Sequence, residues 1–221
     1  FLHGQTGTAM ARDALHETFA IEIPGGEHVV INSSTAPIIY NKGGSILRQI
    51  QGYIGDDNFR SGLQHYLNAH AYDCAASHHL WESFEIASNQ PIGAMMKSWI
   101  EQPGFPIIEV ARQGRQLKFT QRRFTYLSND ATQSWVIPIN ISMFSENDDV
   151  THASVLMDTP ELNFEIDENT CAYKINDRQT GFYRVHYNDN ENLDQLGRRV
   201  LEHTLPPEDR WGLQNDLFAL A

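Results

Sequence analysis

Trp99-Ile100-Glu101-Gln102-Pro103-Gly104-Phe105-Pro106-Ile107-Ile108-Glu109-Val110-Ala111 is the stretch in which the hydrophobic period of this chain changes. Pro103 to Pro106 is punctuation: two prolines and a glycine stop a helix and favour a turn. Upstream of it, apolar residues recur at helical spacing. Pro37 opens a long helix carrying Ile39, Ile46, Leu47, Ile50, Tyr53 and Ile54. Gly55-Asp56-Asp57 ends it and caps the next, in which Phe59, Leu63, Tyr66 and Leu67 form one face. Ser77 reads as the N-cap of a helix with Leu80, Trp81, Phe84 and Ile86. Pro91 occupies a first turn ahead of Ile92, Met95, Met96 and Trp99. A shorter helix over 8–19 stops before Pro24-Gly25-Gly26.

Downstream the period is two. Alternating runs cover 107–111, 117–121, 135–144, 153–157, 162–166, 172–175 and 182–187, separated by turns rich in Asn, Asp and Gly. In the third, Ile137, Ile139, Ile141 and Met143 share one face. Short strands at this spacing predict an antiparallel sandwich. Helical spacing returns with Leu193, Leu196, Val200 and Leu201, and Pro206-Pro207 starts a last helix with Trp211, Leu213, Leu217, Phe218 and Leu220. The fold class is therefore α+β and multidomain: a helical lobe over 1–105, a β-sandwich over 106–188, and the first helices of a further helical domain over 189–221. Neither end carries a cap, which reads as a segment cut from a longer protein.

The composition narrows the function. The chain has 221 residues with 28 acidic against 16 basic side chains, a formal charge of −12. Acidic residues outnumber basic ones in each of the three parts, and no Lys/Arg cluster offers a phosphate-binding face, so nucleic acid is disfavoured as a partner. No apolar run approaches the length of a transmembrane helix. Cys74 and Cys171 stand alone, without a C-x-x-C pair, and read as two buried thiols of a reduced compartment, with a single disulfide as the other reading. A soluble, cytoplasmic protein is the favoured reading.

Ten histidines invite a search for a metal site. A metalloprotease helix needs H-E-x-x-H. His16-Glu17 begins that pattern, but Ala20 stands where the second histidine belongs. His78 and His79 are adjacent, about 100° apart on a helix, and His65 and His70 are five apart. Both spacings make poor chelates. There is no G-x-S-x-G elbow, and Cys74 has no evident base. The stretch that stands out is Tyr40-Asn41-Lys42-Gly43-Gly44. Two glycines fall on the tyrosine's own helical face, where each costs about 1 kcal/mol relative to alanine. A helical tyrosine is commonly a packing residue. The functional alternative is a phenol aimed into a cleft as donor to a developing oxyanion.

Six elements, in order, resemble the zinc aminopeptidases related to aminopeptidase N and the puromycin-sensitive aminopeptidase. Tyr40-Asn41-Lys42-Gly43 is similar to Y-x-K-G, and 59–67 to F-x-x-G-L-x-x-Y-L. His70-Ala71-Tyr72 and Leu80-Trp81 follow, then Trp99 with 102–106 as W-x-x-Q-x-G-x-P. Residues 181–187 are similar to G-x-Y-R-V-x-Y, and 209–221 to D-R-x-x-L-x-x-D-x-F-x-L-A. The resemblance implies that 1–105 is the helical back half of a thermolysin-like catalytic domain, and that the parent enzyme removes N-terminal residues from peptides. It implies that zinc, its ligands and the general base belong to sequence ahead of this segment, which alone would hold no zinc and be inactive. Tyr40 carries over as the transition-state stabiliser, and Thr35 and Ala36 as the border of the pocket for the substrate's first side chain. Arg210 reads as a domain-interface ion pair. With the metal-bearing half removed, the face of helix 37–54 is expected to be bare and to promote self-association. The rival reading is a stand-alone, non-catalytic module that binds peptides or proteins.

Overall fold

The computed structural model describes residues 1–23, 30–127 and 132–221. The expected helix stop at Pro24-Gly25-Gly26 lies outside the described residues. The chain is α+β, with helices at both ends flanking two mostly antiparallel sheets. A π-helical turn Leu2–Gly7 leads into α1 (Thr8–Asp13). A second π-helical turn, Pro37–Lys42, runs directly into α2 (Gly43–Ile54), and α3 (Asp56–Ala69), α4 (Ser77–Ser88) and α5 (Ile92–Ile100) follow. The strands are β1 (Pro106–Gln113), β2 (Gln116–Arg123), β3 (Ile137–Ser145), β4 (Val150–Met157), β5 (Glu161–Glu165), β6 (Thr170–Ile175) and β7 (Arg184–Tyr187). Helices α6 (Asn190–Leu201) and α7 (Pro207–Leu220) close the chain.

The sheets have orders β5-β2-β1-β7 and β4-β3-β6. All neighbours are antiparallel except β1 and β7, which run parallel with Ile107 opposite Arg184 and Val110 opposite Tyr187. The sequence, read as purely antiparallel, misses this pair because alternation sets which face is buried and not the direction of the neighbour. Buried residues of both sheets, Val110, Leu117 and Phe119 from one and Ile139, Ile141 and Tyr173 from the other, join one core with Ile46, Ile50 and Trp99 of the helices.

Several element ends differ from expectation, each for a local reason. The helix expected over 8–19 stops at Asp13, whose carboxylate accepts from the Gly104 N–H (3.0 Å) and the Thr18 hydroxyl (2.6 Å) and so draws the chain into a turn. Ser77 is not the N-cap of α4. The extended Ala76 holds that place, its N–H donates to Nδ1 of His79 (3.1 Å), and the Ser77 hydroxyl donates to Glu22 (3.2 Å). Pro91 stands just before α5, not inside its first turn. Residues 182 and 183 precede β7, because the Phe182 N–H is taken by the Gln49 side chain of α2 (2.8 Å).

Gly62 and Gly104 are among the glycines fixed by space. Gly62 of α3 lies against α4: a Cβ there would sit 2.5 Å from Phe84 Cδ1 and 3.2 Å from its Cα. Phe84 is fully buried and stacked on Phe59. Gly62→Ala is therefore expected to lower stability by about 1–3 kcal/mol despite alanine's better helix propensity. Urea unfolding checks this, and an unchanged midpoint would mean the two helices separate freely. Gly104 has φ +84, and its Cβ would meet Arg123 Nε at 2.6 Å.

Helix 37–54 is not bare. Ile38, Lys42, Ser45, Ile46, Gln49, Ile50 and Ile54 are buried, and Tyr40 is its exposed large hydrophobic residue. Residues 1–14 pack on one side, where Thr6 and Ser45 share a hydrogen bond (3.0 Å). On the other side Arg48 donates to the backbone oxygens of Arg178 (3.0 Å) and Gln179, and Asn140 of β3 donates to the Gly52 carbonyl (3.1 Å). These contacts cover the core-facing side of the helix, while on its other side Tyr40 is exposed and Ile39 and Leu47 are half-buried.

Candidate active-site segment

Asn32, Thr35 and Lys42 set the local structure around Tyr40. The Asn32 side chain accepts from the backbone N–H of Ser34 (2.9 Å) and Thr35 (3.2 Å), and the Thr35 hydroxyl accepts from the Asn32 N–H (2.9 Å) and donates to the Val30 carbonyl (2.7 Å). These bonds brace the turn just ahead of the helix, whose N-cap position is Ala36. Pro37 then fixes the backbone of the first turn, and the chain winds as a π-helix through Lys42, a geometry that occurs in single turns and is frequent at functional sites.

Lys42 anchors that turn. Its ammonium is fully buried, 2.9 Å from Asp13 Oδ2, and donates to the Gly104 carbonyl at 2.9 Å. Asp13 is equally buried. Burial pulls the Lys42 ammonium below its ordinary pKa, and the Asp13 carboxylate opposes that shift. Two residues before it, Tyr40 is 61% exposed. Helical residues two apart face nearly opposite sides, so burying Lys42 directs Tyr40 outward. No described residue hydrogen-bonds the Tyr40 hydroxyl, whereas the phenols of Tyr53, Tyr173 and Tyr187 are engaged by Gln90, Asp189 and the Ile175 N–H. A Cβ added at Gly43 would meet nothing within 4 Å, and one at Gly44 only the Gln5 carboxamide, so packing requires neither glycine. Thr35 and Ala36 are half-buried one turn away. The Thr35 hydroxyl is engaged by the Asn32 N–H and the Val30 carbonyl.

The histidines come together more closely than their spacing suggests. His70 and His79 stack at 4.4 Å between ring centroids, and His78 and His79 lie at 4.1 Å. The return of α4 against α3 brings His70 there, a tertiary contact invisible in the local period. Even so, among the described residues no group of three or more His, Cys, Asp or Glu is placed to hold a metal ion. Both cysteines are free; Cys74 is exposed and Cys171 half-buried, so the reading of two buried thiols fails for Cys74, which sits on the loop ahead of α4. Among the described residues no helix is long and apolar enough to cross a membrane.

The C-terminal motifs have a different part from the one expected for Arg210. Arg210 meets His203 at the surface. The ion pairs that tie α7 to the sheets come from the motif's two aspartates. Asp216 faces Arg184 of β7 at 3.1 Å and accepts from the Val185 N–H (3.1 Å), and Asp209 lies 3.6 Å from the buried Lys174 of β6. Burial raises the Asp216 carboxyl from 3.8 to about 6 against the pull of Arg184, and raises Asp209 against that of Lys174.

Asp13 is the residue that sequence reasoning missed. It stands far from Lys42 in the chain, in no motif, and only the turn after α1 brings the two together.

Residues 1–99 match the peptidase family M1 domain, and residues 172–221 match the ERAP1-like C-terminal domain. Along almost its whole length the chain is 33% identical to a probable aminopeptidase 2 of Sulfurisphaera tokodaii, covering 99% of this chain and 26% of that protein. It is 34% identical to the Tricorn protease-interacting factor F2 of Thermoplasma acidophilum and 32% identical to a leucyl aminopeptidase of Saccharolobus solfataricus, with the same coverages of 99% and 26%. The chain spans about a quarter of the length of these curated relatives. With its helical part matching the peptidase domain, its end matching the C-terminal domain and aminopeptidases aligned from one end to the other, this chain belongs to the M1 aminopeptidase family.

Proposed function

We propose that this chain is a segment of a zinc-dependent aminopeptidase that removes N-terminal residues from peptides, and that Tyr40 is its contribution to the chemistry. The observation that carries this reading is an exposed phenol on a turn held by a fully buried ion pair two residues away. A phenol on a held turn, its O–H free of described partners, can donate to charge that develops only in the transition state, and one such donor is worth about 2.7–4 kcal/mol of barrier. Tyr40 donates to the oxyanion formed when water adds to the first peptide carbonyl. Thr35 and Ala36 border the pocket for the first side chain. The metal, its ligands and the general base are held by residues outside these 221, and the segment alone is inactive. Its three units are the helical part of the catalytic domain (1–105), a β-sandwich (106–188) and the start of a helical domain (189–221).

The test compares the full-length protein with the 221-residue chain on an aminoacyl-anilide. Full-length protein is expected to turn over and to lose that turnover to a chelator, regaining it with zinc. The 221-residue chain is expected to show neither turnover nor bound zinc in elemental analysis. Chelator-sensitive turnover by the segment alone, or chelator-resistant turnover by the whole, contradicts the reading.

A further inference from the structure

We propose that Lys42 is a positioning residue for Tyr40: the buried Lys42–Asp13 pair, closed by Gly104, sets the direction in which the phenol points. This rests on the reading of Tyr40 as the oxyanion donor. Three segments meet at Lys42. The end of α1 supplies Asp13, the turn between α5 and β1 supplies the Gly104 carbonyl, and the π-helical turn supplies the lysine itself. Asp13 is held in turn by the Gly104 N–H and the Thr18 hydroxyl, so the carboxylate cannot swing with the lysine. Beyond Lys42 the helix is pinned again, by the Ser45 hydroxyl donating to the Asn41 carbonyl (2.7 Å) and hydrogen-bonded to Thr6.

Energetics argue that orientation is the role of this pair. Two charges taken fully out of water lose about as much hydration as they regain by attraction, and well-packed apolar residues of similar volume commonly replace such a pair without loss of stability. What an apolar pair cannot reproduce is direction. An ammonium ion-paired with a carboxylate and donating to a carbonyl, each at 2.9 Å, fixes the rotation of its turn about the helix axis. Tyr40 lies two residues back on that turn, so its hydroxyl follows. A donor displaced by about 1 Å from its acceptor loses much of its effect on rate.

The experiment is a double-mutant cycle in the full-length enzyme, read by kcat and KM on an aminoacyl-anilide, with thermal unfolding alongside. One arm removes both charges, Asp13→Asn with Lys42→Met, which leaves an acceptor for the Gly104 N–H. The other is Tyr40→Phe. With Tyr40 present, the paired replacement is expected to lower kcat by tenfold or more with KM within about twofold. In the Tyr40→Phe background the same replacement is expected to change kcat by less than about twofold, since there is no donor left to misplace. An equal loss of kcat in both backgrounds would show general structural damage and overturn the positioning role. So would an unchanged kcat with Tyr40 present. Tyr40→Phe alone leaving kcat intact would instead overturn the donor reading on which the role rests. Should the paired replacement fail to fold, Asp13→Asn alone is read in the same cycle, with coupling to position 40 supporting the role and additivity overturning it.

Discussion

Trp99→Ala is expected to lower the unfolding free energy by about 3–5 kcal/mol, the range for truncating a fully buried large aromatic side chain. Trp99 lies near the end of α5 and has no exposed surface. Its ring lies 6.3 Å from that of Trp135, just ahead of β3, and edge-on to Phe182, just ahead of β7. Its indole N–H donates to the Val136 carbonyl at 2.9 Å. Truncation therefore opens a cavity where the helical part meets both sheets and strips a buried carbonyl of its donor. For a chain of this size the loss corresponds to a fall in Tm of roughly 6–20 °C. A shift of only a degree or two would mean that helices and sheets do not share one core. The Phe105 ring, 5.4 Å from Phe124 and 5.3 Å from Phe182, continues the same aromatic seam.

Arg184→Met is expected to cost a similar amount, about 3–5 kcal/mol at pH 7.5, by leaving the Asp216 carboxylate buried without its partner. Arg184 also lies over the Phe124 ring at 4.9 Å, and methionine retains part of that packing. The loss depends on pH, and the sign follows from Asp216. Its folded pKa is raised from 3.8 to about 6, chiefly by burial. In the native protein the folded state thus holds a proton that the unfolded state gives up, and the stability from that proton, complete below pH 3.8, is lost as pH rises through 6. Without Arg184 the folded pKa moves higher still. The cost of the substitution is therefore smaller at pH 5, where the carboxyl is largely protonated, than at pH 7.5. Combining Arg184→Met with Asp216→Asn is expected to recover much of the loss at pH 7.5, since no buried charge remains. A cost that does not change between pH 5 and 7.5 would show that Asp216 is solvated.

Order and type of the elements were legible because each part of the chain keeps one hydrophobic period over several turns or strands. The break at 102–106 marked the change from helix to sheet, and the structure places α5 before it and β1 after it. What the period could not carry was tertiary. The parallel β1–β7 pair depends on how β7 returns, which no local pattern encodes. The early end of α1 depends on Asp13 finding Lys42 and Gly104. The packing of residues 1–14 on the core-facing side of helix 37–54 was hidden for the same reason: Thr6, Ala9 and Met10 lie far from that helix in the chain. For the candidate site, a tyrosine followed by two glycines marks the turn at Tyr40, but the glycines do not encode the buried Lys42–Asp13 pair behind it. At the other end, the aspartates of the last motif bind the sheets while Arg210 does not. Charge type alone does not say which of two neighbours turns inward.

The most direct test of the account is the kcat of full-length Tyr40→Phe on an aminoacyl-anilide, with Tm measured on the same preparation. Phenylalanine keeps the ring and removes only the hydroxyl, which no described residue holds. The account predicts a fall in kcat of about 10²–10³-fold, little change in KM, and a Tm within a degree or two of the native protein. A kcat within a few fold of the native value would contradict it, and would return Tyr40 to the ranks of ordinary surface tyrosines.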